Sequence, residues 1–169
     1  AASYRLTVHL ADTLLHEQEG LRLTTDSILD IVPGEPAVPE PILHGDLVWD
    51  GDGLSQPLPD GDAPFHVAGT VVVGPIEATD LMRLRRLKTV GNDLFVFSND
   101  NLITLDGLQQ LRSVRNELQL SGNVRLSSMR ALSGLRTAGQ IDIRRNPELR
   151  DLDGLSGLAF AQGLRLEDN

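Results

Sequence analysis

Three consecutive segments of the chain repeat one pattern at intervals of 23 to 24 residues, and nothing else in the sequence restricts the fold as tightly. The segments are LKTVGNDLFVFSNDNLITLDGLQQ (87–110), LRSVRNELQLSGNVRLSSMRALSG (111–134) and LRTAGQIDIRRNPELRDLDGLSG (135–157). A fourth, LAFAQGLRLEDN (158–169), covers half a period. The shared pattern is L-x-x-[VA], two or three residues, then [LI]-x-[LVI]-x-x-N-x-x-L-x-x-[LM]-x-x-L. A fixed period of this length is the mark of a solenoid, in which each repeat buries its apolar face against its neighbours.

Each part of the pattern has a physical reading. The pairs Leu94/Val96, Leu118/Leu120, Ile141/Ile143 and Leu164/Leu166 alternate as in a short strand with one buried face. Asn99, Asn123, Asn146 and Asn169 each follow three residues after the second strand position. Asn tolerates a tight bend, and its amide can bond equivalent groups of the next coil, so four in one column predict a buried hydrogen-bonded ladder. The apolar residues that follow at every third position predict successive inward corners. They could instead mark one face of a helix. However, Asn146-Pro147 opens one such stretch, and Gly107, Gly134 and Gly154 interrupt the stretches near their ends. A helix of about ten residues containing a glycine is weak, which favours short extended or 3₁₀ pieces. The expected fold class is mainly β: a short right-handed parallel β-solenoid with 23–24-residue coils. A helix-bearing leucine-rich repeat is the alternative.

The spacing after the strand is N-x-x-L in Asn99–Leu102, Asn123–Leu126 and Asn146–Leu149. In this the chain resembles the receptor L domains of insulin and epidermal growth factor receptors and related microbial surface proteins, since ordinary leucine-rich repeats carry N-x-L. The resemblance covers roughly residues 65–169. It implies architecture, and no catalytic or ligand residues follow from it. The receptors' cysteines have no counterpart here, because the chain has none.

The solenoid is expected over residues 63–169. A degenerate first coil (65–86) precedes coils 87–110, 111–134 and 135–157 and the partial coil 158–169. Counting back 24 residues puts Thr70 and Val72 inward, Pro75 at the Asn position, and Leu81 and Leu84 at corners. The last strand has no polar cap after Asn169, which predicts an open edge: the end of a fragment of a longer array, or a surface covered by another chain, including a homo-oligomeric partner. Residues 1–62 read as a separate acidic, Pro-rich β region packed on the first coil. They carry 12 acidic and 2 basic side chains, against 12 and 13 in the remainder, and seven of nine prolines lie between Pro33 and Pro64. Strands are expected in SYRLTVHLAD, within GLRLTTDSILDIV and over Ile42–Trp49.

This acidity disfavours nucleic acid as a partner, and no apolar run is long enough to span a membrane. The absence of cysteine excludes thiolate metal sites and cysteine nucleophiles. His9, His16, His44 and His66 lack metal-ligand spacing. The DGDG run at Asp50, with Asp46, Asp60 and Asp62, fails the EF-hand register and reads as turns. There is no G-x-S-x-G. The chain is therefore expected to bind no metal or cofactor and to catalyse no reaction.

The candidate binding residues are the outward strand positions. Phe95 and Phe97 are followed in later coils by Gln119 and Ser121, Asp142 and Arg144, then Arg165 and Glu167. With Val71 and Val73 placed outward beneath the two phenylalanines, four apolar side chains stack on the exterior. Such a patch serves either as a seat for the N-terminal region or as a partner surface. The reading is a non-catalytic recognition or scaffold module of a bacterial-type surface or envelope protein, binding a protein or glycan through its strand face. The alternative is a structural protein that self-associates through the open coil edge and the apolar patch.

Overall fold

The computed structural model describes residues 4–10, 13–21, 40–51 and 53–169. The chain divides into two compact units, residues 1–38 and 39–169. In the first, β1 (Tyr4–Leu10) and β2 (Thr13–Leu21) form an antiparallel pair with Val8 opposite His16. The alternation in Tyr4–Leu10 announced β1. The segment Thr13–Leu21, whose own alternation is weak, takes its strand conformation from pairing with β1, and the strand expected within Gly20–Val32 lies almost wholly outside the described residues. So does the Pro-rich stretch up to residue 39.

The second unit is a parallel β-solenoid. Its strands are β3 (Ile42–Leu43), β4 (Leu47–Asp50), β5 (Gly53–Leu54), β6 (Phe65–Val67), β7 (Val71–Val73), β8 (Leu87–Val90), β9 (Leu94–Phe97), β10 (Ser113–Ser121), β11 (Thr137–Arg144) and β12 (Phe160–Glu167). One column of pairing runs Leu47, Val71, Leu94, Leu118, Ile141, Leu164, in steps of 24, 23, 24, 23 and 23 residues. A second runs Ile42, His66, Thr89, Ser113, Thr137, Phe160. In the early coils these columns belong to separate short strands. From β10 onward one long strand carries both, with an irregularity between Val114 and Glu117 marking the bend. The return path holds turns, short 3₁₀ segments at Met82–Leu84, Arg130–Gly134 and Asp153–Leu155, and an isolated parallel bridge between Thr104 and Ser128. That excludes the helix-bearing repeat.

The stack starts upstream of the expected boundary at residue 63, since β3 and β4 pair parallel with β6 and β7. The single strand expected over Ile42–Trp49 is broken by a corner at His44–Asp46, where Gly45 has φ +82° and Asp46 Oδ1 accepts the Thr70 N–H at 2.7 Å. At this end β5 pairs antiparallel with β4, covering its edge. The Arg83 guanidinium lies 5.5 Å from the ring centre of the buried Trp49.

The predicted Asn ladder is present. Asn123 Oδ1 accepts both the Asn99 backbone N–H (3.2 Å) and the Asn99 side-chain amide (2.9 Å). Asn146 Oδ1 does the same for Asn123 at 3.1 and 3.2 Å, and Asn169 Oδ1 for Asn146 at 3.2 and 3.0 Å. The second amide hydrogen of each Asn reaches a strand carbonyl of the coil before: Val73 for Asn99, Val96 for Asn123, Leu120 for Asn146 and Ile143 for Asn169. The interior amides thus fill their full capacity of two donors and two acceptor sites. Asn99, Asn123 and Asn146 are fully buried. The residue before each ladder Asn is left-handed: Ser98 (φ 54°), Gly122 (65°), Arg145 (56°) and Asp168 (54°). That turn swings the amide inward, and at three of the four corners it is held by a side chain that resists it.

One expectation about the first coil is overturned. Val71 and Val73 are fully buried and face inward, paired with Leu94 and Val96; Val72 is the outward residue, paired with Phe95. Ile76, not Pro75, takes the Asn position, its N–H donating to Asn99 Oδ1 at 3.0 Å. Leu81 and Leu84 are buried corners as expected. Five residues separate Ile76 from Leu81 where six separate Asn99 from Leu105. Counting back in steps of 24 therefore crosses a one-residue deletion, and a slip of one residue exchanges the two faces of a strand.

Two stability outcomes follow. Asn123→Ala strips partners from Asn99, Val96 and Asn146 together, and at about 1–3 kcal/mol per orphaned buried group it should cost about 3 kcal/mol or more. Asn169→Ala, at a half-buried rung, should cost clearly less; urea unfolding of the two variants checks the order. Arg145→Gly should raise stability by about 1 kcal/mol by relieving the left-handed corner, read as an upward shift in the thermal midpoint.

Candidate functional site

The outward side chains of the first column form one flat wall. Alternation within each strand sets them against the buried row, and the pairing stacks them about 4.8 Å apart. In order they are Val48, Val72, Phe95, Gln119, Asp142 and Arg165. Beside them stand Phe97, Ser121, Arg144 and Glu167. Beneath Phe97 comes Gly74, where an added Cβ would run into the Phe97 carbonyl oxygen. The apolar patch is therefore Val48, Val72 and Phe95 in one file with Phe97 alongside, in place of the expected block of Val71, Val73, Phe95 and Phe97. Val48, Val72, Phe95 and Phe97 are all half-buried.

Beyond Phe95 the wall becomes polar, then ionic. Asp142 is 6 % exposed; its Oδ2 lies 3.7 Å from Arg144 Nη1, and its buried Oδ1 has no hydrogen-bond donor among the described residues. Arg165 and Glu167 pair at 2.5 Å. Both pairs join positions i and i+2 of one strand, so charge is balanced along the strands rather than across them. The structure thus brings Phe95, Phe97, Gln119, Asp142, Arg144 and Arg165 onto one surface and removes Val71 and Val73 from it.

A second polar cluster sits on the other column. His66 lies between Glu40 and Thr89, its Nε2 2.7 Å from Glu40 Oε2 and its Nδ1 2.7 Å from Thr89 Oγ1. Lys88 Nζ donates to both Glu40 oxygens at 2.6 and 2.8 Å. The hydrogen bond from Lys88, and after it that from His66, holds the Glu40 carboxyl below its ordinary value of 4.5 against the burial that raises it. Sequence reading missed this group because Glu40 stands 26 residues from His66 and 48 from Lys88 in a Pro-rich stretch. The available signal was the 23-residue step from His66 to Thr89, one coil.

The fold and wall define a parallel β-solenoid repeat protein. The sequence matches no family model, and neither a curated protein nor a solved structure matches it.

A carboxyl whose pKa is depressed on folding contributes stability that is fully present above its unfolded value and is lost as pH falls through the folded one. Between about pH 6 and pH 3 the thermal midpoint should accordingly fall less steeply in Glu40→Gln than in the parent, the difference between the two narrowing toward the acid end. Parallel acid limbs would show that the Glu40 contact contributes nothing to folding.

Proposed function

We propose that this solenoid is a non-catalytic recognition or scaffold module of a cell-surface or envelope protein that binds a protein or glycan partner across the wall of Val72, Phe95, Phe97, Gln119, Asp142, Arg144 and Arg165. The observation that carries the reading is the graded wall itself: an aromatic and aliphatic file that passes in register into hydrogen-bonding and then charged side chains. An interface has this composition, an apolar centre beside a polar rim. The N-x-x-L spacing supports kinship with receptor L domains. A flat wall suits recognition better than chemistry because it encloses no reacting group.

A second reading rests on β12. Among the described residues it pairs with β11 alone, and its inward-column residues Leu164 and Leu166 are each 50 % exposed. An unpaired parallel edge with apolar side chains is a surface on which chains associate.

The readings separate on two variants. A recognition module has the same mass at every concentration in sedimentation equilibrium. On an array of immobilised neutral polysaccharides and envelope proteins, Phe95→Asp should weaken its hits by about 30-fold, the size of an aromatic hot spot, with the thermal midpoint unchanged. A mass that rises with concentration and is restored to the monomer by Leu164→Asp, with Phe95→Asp silent, would favour assembly and overturn recognition.

A further inference from the structure

Where each coil bends between its two sheet segments, the outer surface is concave, and a groove of about 450 Å³ crosses the rungs. Its lining includes Thr89, Ser113, Thr137, Arg115, Phe160 and Gln162. The first three are consecutive members of one pairing column that ends at Phe160. Three steps of about 4.8 Å give a run of about 14 Å. Gly91 and Gly139 keep the floor free of side chains, packed so closely on the preceding coil that a Cβ at either would meet backbone of Ala68 or Asn116.

The chemistry offered along this run is specific. Thr89 Oγ1 bonds His66 at 2.7 Å, which fixes one end, while the hydroxyls of Ser113 and Thr137 make no hydrogen bond among the described residues. Arg115 is exposed and has no ion pair among the described residues. Arg112 and Arg136, next to Ser113 and Thr137 in the chain, turn to the carbonyl oxygens of Gln109, Leu111 and Gly157 and stay outside the groove lining, which leaves Arg115 as its cation. At the far end Phe160 is 57 % exposed. Backbone groups take little part, because the lining strands pair with each other on both sides through most of the groove. An added peptide strand therefore has no edge to extend within the groove short of β12.

We infer that this groove binds an anionic oligosaccharide. Hydroxyls serve as both donors and acceptors, matching the hydroxyls of a sugar chain. The guanidinium of Arg115 takes the acidic group in charge-assisted hydrogen bonds. The exposed ring of Phe160 gives the apolar C–H face of a terminal pyranose a surface to stack on. The site lies on the other column from the wall of Phe95 and is independent of it.

The test uses calorimetric titration of the full chain with three probes: trigalacturonate, its methyl ester, and a sulfated trisaccharide. The acid binds and the ester does not. The sulfated sugar distinguishes a general anionic requirement, if it binds, from a carboxylate requirement, if it does not. Arg115→Gln and Phe160→Ser each weaken the acid by about tenfold. Both positions are exposed, and an unchanged thermal midpoint verifies their folding. Phe95→Asp leaves the titration unaltered, which separates this site from the wall. The inference is overturned if neither charged sugar binds, if the ester binds as tightly as the acid, if Arg115→Gln is without effect, or if a glutamate-rich peptide binds as well as the sugar.

Discussion

The row of asparagine amides is the constraint from which the rest of the solenoid follows. Each interior Asn must meet four hydrogen-bond requirements within a buried core, and it can do so only if the coils before and after it hold their own Asn and strand carbonyls at fixed positions. A displaced coil would leave several buried polar groups unpaired at once. Register is therefore set by polar bookkeeping as much as by the leucines around it. The left-handed residue before each Asn is the local cost of pointing the amide inward, and it is met by Gly only at Gly122.

With the interior fixed in this way, the outward positions are released from structural duty. Phe95, Gln119, Asp142 and Arg165 occupy one file and share nothing in chemistry, whereas the inward file of Leu94, Leu118, Ile141 and Leu164 varies only between two aliphatic isomers. This contrast between uniform interior columns and diverse exterior ones is what a recognition scaffold requires. The same logic applies on the second column, where Thr89, Ser113 and Thr137 keep a hydroxyl through three rungs and then give way to Phe160.

The two ends of the described stack differ. At the first coils the Asn column is replaced by Ile76, which contributes only its backbone N–H, and β5 folds back antiparallel on β4 over the buried Trp49. At β12 the inward leucines are half exposed and the column still presents an Asn. The two described ends therefore differ: β5 covers β4 at the first, while β3 and β12 each pair on one side among the described residues.

Coil length, the amide column, the inward leucines and the 3₁₀ return path were legible in the linear sequence, because each recurs and a recurrent pattern reports stacking directly. The polar half of the wall was legible for the same reason. The first coil was not: the deletion between Ile76 and Leu81 is invisible without knowing that Ile76 donates to Asn99, and it placed Val71 and Val73 on the wrong side. The early start of the stack at β3 and β4 was hidden because the corner at Gly45 and Asp46 lacks an Asn and a leucine period. By itself, then, the sequence determined what repeats, since period and residue type are properties of the chain. Tertiary structure alone decided where distant residues meet, such as Glu40 with His66 and Lys88, and which face an irregular strand turns outward, since both depend on hydrogen bonds between coils that no local pattern encodes.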